Sequence, residues 1–355
     1  MSEQASWPQA GSAPMGLRSN VMKLGLDSYS VRNSGLDPIG VLKLAADWGL
    51  AGVLFELSPF RSFRDADLAL IRGFAEERGL YLHFGMGSIF HFHPMATQGR
   101  QLLAEAGYET GGSEARTVIQ HLEVARKLGS PILRCVGGNL FARDQGYDMA
   151  ALADQAVAIL REACKAAEDM GLKIAMENHA DFTVRELASI LARVNSPAFG
   201  FTVDCANLAF DLDDPLRLAG IMAPYALTTH FKNYRVLRTP QGLALENCAL
   251  GEGDIDVASI ARLLHGHNPA INLNIEIHSQ WGFFPLGILE EGYFARHPAP
   301  PGDGLAWYLK KSWQRPVAAD PPGALPDGPE SWKLERKHVE ESIRWARENL
   351  SSLLG

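Results

Sequence analysis

MAALADQAVAILREACKAAEDMGLKIAMEN, residues 149–178, decides the fold. Alanines and aliphatic residues recur every three or four positions through its first part, the spacing of one face of an amphipathic helix. Gly171 stands where a left-handed residue ends a helix. LKIAMEN (172–178) follows at once, a short apolar run of strand length that finishes on Glu177 and Asn178. The unit is a helix, a glycine stop, a buried strand and a polar strand end.

The unit repeats. Short apolar runs at 21–28, 51–57, 80–85, 131–137, 172–178, 198–204, 226–232 and 271–278 read as eight strands, with helical patterns such as DPIGVLKLAADWG and DLALIRGFAEERG between them. Gly49, Gly79 and Gly129 occupy the place that Gly171 has in its own unit. Asp37 before Pro38 gives the first helix a cap and a proline at its first position. The pattern predicts an α/β protein of the (β/α)8 TIM-barrel type, with residues 21–355 as one barrel domain. A doubly wound open sheet is the rival, but LGLDSYSVRNSG after the first strand lacks the glycine-rich phosphate fingerprint of that fold. Two long connections follow strands three and eight: SIFHFHPMATQGRQLLAEAGYETGG (88–112) and a proline-rich insertion at about 280–330, ahead of a last helix. A barrel puts both at its C-terminal face, where active sites form.

Composition narrows the function. In 355 residues no apolar run approaches the about 20 needed to span a bilayer, and residues 1–20 read as a flexible tail without the apolar stretch of a signal peptide. The expectation is a cytoplasmic protein with no membrane partner. A formal charge of −8 argues against a nucleic-acid partner. Cys135, Cys164, Cys205 and Cys248 have no zinc spacing and read as reduced, packed thiols. The proline-rich segment leaves a homo-oligomer open.

Strand periodicity then sorts the polar residues. Side chains at i and i+2 share a face, so Leu273, Ile275 and Ile277 turn to the helices while Asn272, Asn274, Glu276 and His278 turn to the barrel axis. By the same parity Glu177 pairs with His179, and His230 with Lys232. Strand six ends at Asp204, with Asn207 three residues on. Four consecutive strands thus end in Glu177, Asp204, His230 and Glu276. Three crowded carboxylates stay ionised only beside a cation. With one imidazole they suit a single divalent ion, Mn²⁺ first, with Mg²⁺, Co²⁺ or Zn²⁺ also compatible. Glu56 and His83 are expected to line the pocket or to take a buried structural role, and Arg134, if it faces inward, to find an acidic partner or an anionic ligand. His91 and His93 are expected to pack in a loop, and Asp211, Asp213 and Asp214 to cap the helix that starts at Pro215.

GLDSYS, AMENHADFT, GFTVDCANLAF, TTHFKNYRV, GEGDIDVASI and IEIHS resemble the xylose isomerase-like TIM-barrel superfamily. That superfamily holds sugar isomerases, ketose 3-epimerases, inosose dehydratases and apurinic-site endonucleases. The resemblance covers about residues 21–280 and the last helix, and the site pattern is nearest to the ketose 3-epimerases. It implies that Glu177, Asp204, His230 and Glu276 bind one divalent metal, and that Glu177 and Glu276 exchange a substrate proton. His179, Lys232, Asn207, Glu56, His83, Arg134 and His278 are then candidates for substrate contact. Asn207 stands where many members carry a histidine, a departure from the family pattern and from the endonucleases, which need more histidines. The implied activity is a metal-dependent isomerase or epimerase acting on a ketose or related sugar through an enediolate. A decarboxylase, dehydratase or other lyase on an oxo-sugar acid is the alternative, because inward-facing Lys232 and Arg134 suit an acid. An apurinic-site endonuclease and a non-catalytic sugar-binding barrel remain as further alternatives.

Overall fold

The computed structural model describes residues 21–138, 142–143, 145–319 and 323–355. The flexible tail expected over residues 1–20 lies outside the described residues. Parallel strands β1 (Lys23–Asp27), β2 (Gly52–Phe55), β3 (Tyr81–Ser88), β4 (Ile132–Val136), β5 (Lys173–Glu177), β6 (Phe199–Asp204) and β7 (Ala226–His230) lie side by side in chain order. The chain next makes a hairpin, β8 (Asn233–Thr239) and β9 (Gly242–Cys248), before β10 (Asn272–Ile275) returns to pair with β1. Phe231 N–H donates to Asn274 O (2.7 Å) and Glu276 N–H to Phe231 O (3.0 Å), joining the last strands at their C-terminal ends. The eight parallel strands therefore surround one axis as a (β/α)8 barrel.

Helices α1 (Pro38–Asp47), α2 (Asp65–Glu77), α3 (Thr97–Glu105), α4 (Glu114–Leu128), α5 (Met149–Met170), α6 (Val184–Val194), α7 (Pro215–Met222) and α8 (Val257–His267) occupy the connections. Their ends carry the local chemistry that the sequence announces. Gly49, Gly79, Gly129 and Gly171 have φ of +65°, +65°, +83° and +69°, which a side chain would strain. The Asp37 carboxylate accepts from Gly40 N–H at 2.7 Å. Asp214 caps α7, accepting from Leu216 N–H (2.9 Å), but Asp211 accepts instead from Val184 N–H (2.9 Å) at the start of α6. In β5, Ile174 and Met176 turn outward into a continuous apolar core with Leu160 and Ala163 of α5 and Leu187 and Ile190 of α6. Glu177, on the opposite parity, turns inward.

Two regions hold more structure than their sequence suggests. The insertion after β10 carries β11 (Phe283–Leu286), α9 (Tyr293–Arg296) and α10 (Gly302–Ser312), and leads to α11 (Pro329–Asn349). β11 adds to the hairpin to make a three-stranded antiparallel sheet in the order β11-β9-β8. Asn233, at the start of β8, fastens the GEGDID loop: its Nδ2 donates to Leu250 O (2.8 Å) and Ile255 O (3.1 Å), and its Oδ1 accepts from Ile255 N–H (3.2 Å). Gly253 must be glycine here, since a Cβ would sit 2.1 Å from Asn233 Oδ1.

Candidate metal centre

Glu177, Asp204 and His230 are the last residues of β5, β6 and β7, and Glu276 directly follows β10. All four are buried. One ligand atom from each lies within 4.8 Å of every other. His230 Nδ1 is 3.2 Å from Glu177 Oε2 and 3.4 Å from Glu276 Oε2. Asp204 Oδ1 accepts from the N–H groups of Ala206 (2.9 Å) and Asn207 (3.0 Å), which leaves Oδ2 for the cluster.

Two side chains of the protein itself already bring positive charge to this place. Lys232, 1% exposed, forms ion pairs with Asp204 Oδ2 and with Glu276 Oε2, the latter at 2.5 Å. The Arg134 guanidinium donates through Nε to Glu177 Oε2 (2.6 Å), and its Nη1 lies 2.8 Å from Glu56 Oε1. The cation that the crowded carboxylates need is therefore supplied in part by Lys232 and Arg134, and a bound ion is not required for every one of them. Asp27, Glu56, Glu177, Asp204 and Glu276 are five buried carboxyl groups around two cations and His230, more than Lys232 and Arg134 alone neutralise if all five ionise.

The titration of the groups reflects the same balance. Burial alone would raise the Glu177 carboxyl, but Arg134 and His230 outweigh it and hold it below the usual range. Burial likewise opposes ionisation of Glu276, yet His230, His278 and Lys232 keep it well below. For Asp204 burial wins over Lys232 and pushes the carboxyl up to about 7. Burial also takes Glu56 up to about 7, against Arg134. Burial would lower His230, but Glu276, Glu177 and Asp27 raise it well above its ordinary value. Hard carboxylate oxygens and one imidazole converge from four strands. That donor set can hold a divalent ion.

The other expected residues fall into three groups. Asn207, Arg134, Lys232 and Glu56 contact the cluster: Asn207 Nδ2 donates to Glu177 Oε1 (3.3 Å). His278 Nε2 lies 3.0 Å from Glu276 Oε1, and the His278 ring meets Tyr29 edge-on. His179 is half-buried and its Nδ1 is 3.1 Å from Gly138 O. His83 does not join the cluster and takes the buried structural place that was the alternative for it. It faces the axis, but Thr228 Oγ1 (3.1 Å) and Asn272 Nδ2 (3.3 Å) hold its ring among residues of the strand beginnings, beside Lys23 and Leu227. It sits at the N-terminal end of the barrel because it lies near the start of β3, away from the strand ends that carry the cluster. His91 is a loop contact, bonded to Thr117 Oγ1 at 2.8 Å.

Sequence reasoning missed two residues. Asp27 ends β1 and places Oδ2 3.1 Å from His230 Nε2, while its Oδ1 accepts from Tyr29 N–H (2.7 Å). The signal was present, since Asp27 ends its strand as Glu177 ends β5. Tyr234 donates its hydroxyl to Asn207 Oδ1 (3.3 Å) and packs edge-on against Phe210 and Phe284. It lies in the hairpin that the strand count did not include.

A model of the xylose isomerase-like TIM barrel matches residues 42–309. The chain belongs to the xylose isomerase-like TIM-barrel family. It is 25% identical over 200 residues to the protein YihM of Escherichia coli (strain K12), covering 54% of this chain and 59% of that protein. It is 23% identical over 130 residues to 3-oxo-isoapionate decarboxylase of Pectobacterium atrosepticum, covering 36% of this chain and 47% of the enzyme. The chain thus spans about half the length of these curated relatives. A D-psicose 3-epimerase of Clostridium cellulolyticum H10, solved with D-tagatose, superposes with a TM-score of 0.61 at 16% identity, over 93% of this chain and 99% of the epimerase. That likeness is one of fold. Among the described residues no helix is long and apolar enough to cross a membrane.

Proposed function

We propose that the protein is a divalent-ion-dependent enzyme that shifts a proton next to the carbonyl of a ketose or related sugar, as an isomerase or epimerase. The observation that carries this reading is the convergence of Glu177, Asp204, His230 and Glu276 from four barrel strands within 4.8 Å of one another. A divalent ion held by these four, Mn²⁺ being the first candidate, would supply the Lewis acidity that acidifies the carbon beside the carbonyl and stabilises an enediolate.

The chain's own residues do the rest. Glu276 and Glu177 are the groups that accept a carbon-bound proton and return it; His230, Lys232 and Arg134 keep them ionised, which readies them for the proton but also lowers their basicity. Asn207, tied to Glu177 Oε1 and to the Tyr234 hydroxyl, orients that glutamate and offers an amide to a sugar hydroxyl. His179 and His278, each two residues beyond a glutamate, are further contacts for hydroxyl groups. Arg134 and Glu56 act as supports, because the guanidinium is already shared between Glu56 and Glu177.

One observation favours a second reading. Lys232 places a buried ammonium beside Asp204 and Glu276, and the carboxylate of an oxo-sugar acid would have to share it with those two side chains. The same electron sink that accepts a C–H pair then accepts the pair released with CO₂, the outcome that the name of the Pectobacterium relative carries. A panel of ketoses, oxo-sugar acids and inososes in deuterated water with Mn²⁺ separates the two. Deuterium at a carbon beside the carbonyl of a ketose, without CO₂, supports the isomerase. Release of CO₂ from an oxo acid, with a ketose product, supports the decarboxylase.

A further inference from the structure

We propose that Asp27 is a positioning residue that fixes the His230 ring for ion binding, an inference that rests on the divalent-ion reading above. The ring lies between two sets of carboxylates. Its Nδ1 faces Glu177 and Glu276, and its Nε2 faces Asp27 Oδ2 at 3.1 Å, all of them buried. As the ring stands, Nε2 and Oδ2 are at ion-pair distance without an aligned hydrogen bond, and Nδ1 has no hydrogen-bond partner either. A proton carried on Nε2 and held by Asp27 once an ion is bound would leave the Nδ1 lone pair on the side where the other ligands converge. It would also stop the ring from turning over and make Nδ1 the stronger donor.

Asp27 is itself held still. Its other oxygen accepts from Tyr29 N–H at 2.7 Å, the first turn after β1, and β1 is paired on both sides, to β10 and β2. The orienting carboxylate therefore comes from β1, two strands round the barrel from β7 with β10 between them, and the barrel register brings it to His230.

Asp27, Glu56 and His230 also lie within 4.8 Å of one another, so a second ion is the competing account. Two observations oppose it. His230 is the one nitrogen donor that both groups would share, and serving two ions would make the ring an anion among carboxylates. The second group also offers two carboxylates where the first offers three, and Glu56 Oε1 is already 2.8 Å from Arg134 Nη1.

The test is Co²⁺ binding to the full chain, read by competition with a chelating indicator and by the visible d–d bands, with folding checked by circular dichroism. Asp27→Ala is expected to weaken Co²⁺ binding about 10- to 100-fold and to shift the bands. Asp27→Asn, which still accepts one hydrogen bond from Nε2–H, is expected to fall between Asp27→Ala and the natural protein. Affinity and bands unchanged in Asp27→Ala overturn the proposal. So does a natural protein that binds two Co²⁺ per chain and loses one in that variant. Should Asp27→Ala fail to fold, Asp27→Asn decides: weaker binding with shifted bands supports the proposal, and neither change overturns it. A natural protein that binds no Co²⁺ overturns the divalent-ion reading itself, and the role of Asp27 with it.

Discussion

Lys232 lies two residues beyond His230, and that parity turns it into the barrel, where it meets Asp204 and Glu276. The inward direction was legible from spacing alone, as it was for Glu177 and Glu276. Its partners were not, because they come from β6 and from the end of β10, and only register brings them together. Asp27 shows the limit of the method: a single acid at a strand end is common, and nothing in GLDSYS says that a histidine some 200 positions later will face it. Lys232 also gives the sharpest substitution for the choice of substrate. Lys232→Met should lower kcat/KM on an oxo-sugar acid by about 10²-fold or more, the scale of a lost charge-stabilising donor. Deuterium exchange into a neutral ketose should fall as well, because Lys232 also pairs with Asp204 and Glu276, but by a smaller factor. An equal loss on both substrates would assign Lys232 to holding the cluster rather than to binding a carboxylate.

Among the elements, the barrel strands were legible because each follows a glycine stop with a buried run, as Gly171 precedes β5. The β8–β9 hairpin was not, although Pro240 and Gln241 form a two-residue turn between the paired Thr239 and Gly242. Its first strand starts at the polar Lys232–Asn233 step and carries Arg235 and Arg238, so it lacks the apolar character used to find the others. The insertion likewise read as loop because prolines surround β11 and α10. At the opposite end of the barrel, Gly25 and Gly52 make room for Tyr81, whose hydroxyl donates to Asn274 Oδ1 at 2.6 Å. A Cβ on Gly52 would lie 2.4 Å from the Tyr81 ring, and one on Gly25 1.9 Å from its hydroxyl oxygen. Gly52→Ala should cost about 1–3 kcal/mol, as overpacked interiors do. Urea unfolding tests this: a lower midpoint with an unchanged slope is expected, and an unchanged midpoint would contradict the packing argument.

The molecule as a whole is held at its mouth by a clasp across three distant segments. Arg32 pairs with Glu335 of α11 at 2.7 Å. Asn33 Nδ2 donates to Gln280 Oε1 (3.0 Å) and to Glu335 Oε1 (3.1 Å), and Asn33 Oδ1 accepts from Gly328 N–H (3.1 Å). The first loop thereby ties down both ends of the insertion and the last helix. Burial raises the Glu335 carboxyl to about 7 despite Arg32. A raised folded-state pKa means that, between the ordinary value of 4.5 and about 7, the folded chain holds a proton that the unfolded chain has lost. Stability should therefore rise as pH falls through that window. Glu335→Gln should remove this part of the slope, measured as the difference in unfolding free energy between natural protein and variant from pH 8 to pH 5. A difference independent of pH would contradict the assignment.

The central claim is that four strand ends build one ion-dependent, proton-moving site. Its most direct measurement is deuterium incorporation beside the carbonyl of the best substrate from the panel, in deuterated water, before and after EDTA and in Glu276→Gln at saturating Mn²⁺. Incorporation that EDTA abolishes, Mn²⁺ restores and Glu276→Gln lowers by about 10²-fold or more is the expected result. Incorporation that survives both EDTA and Glu276→Gln would contradict the account.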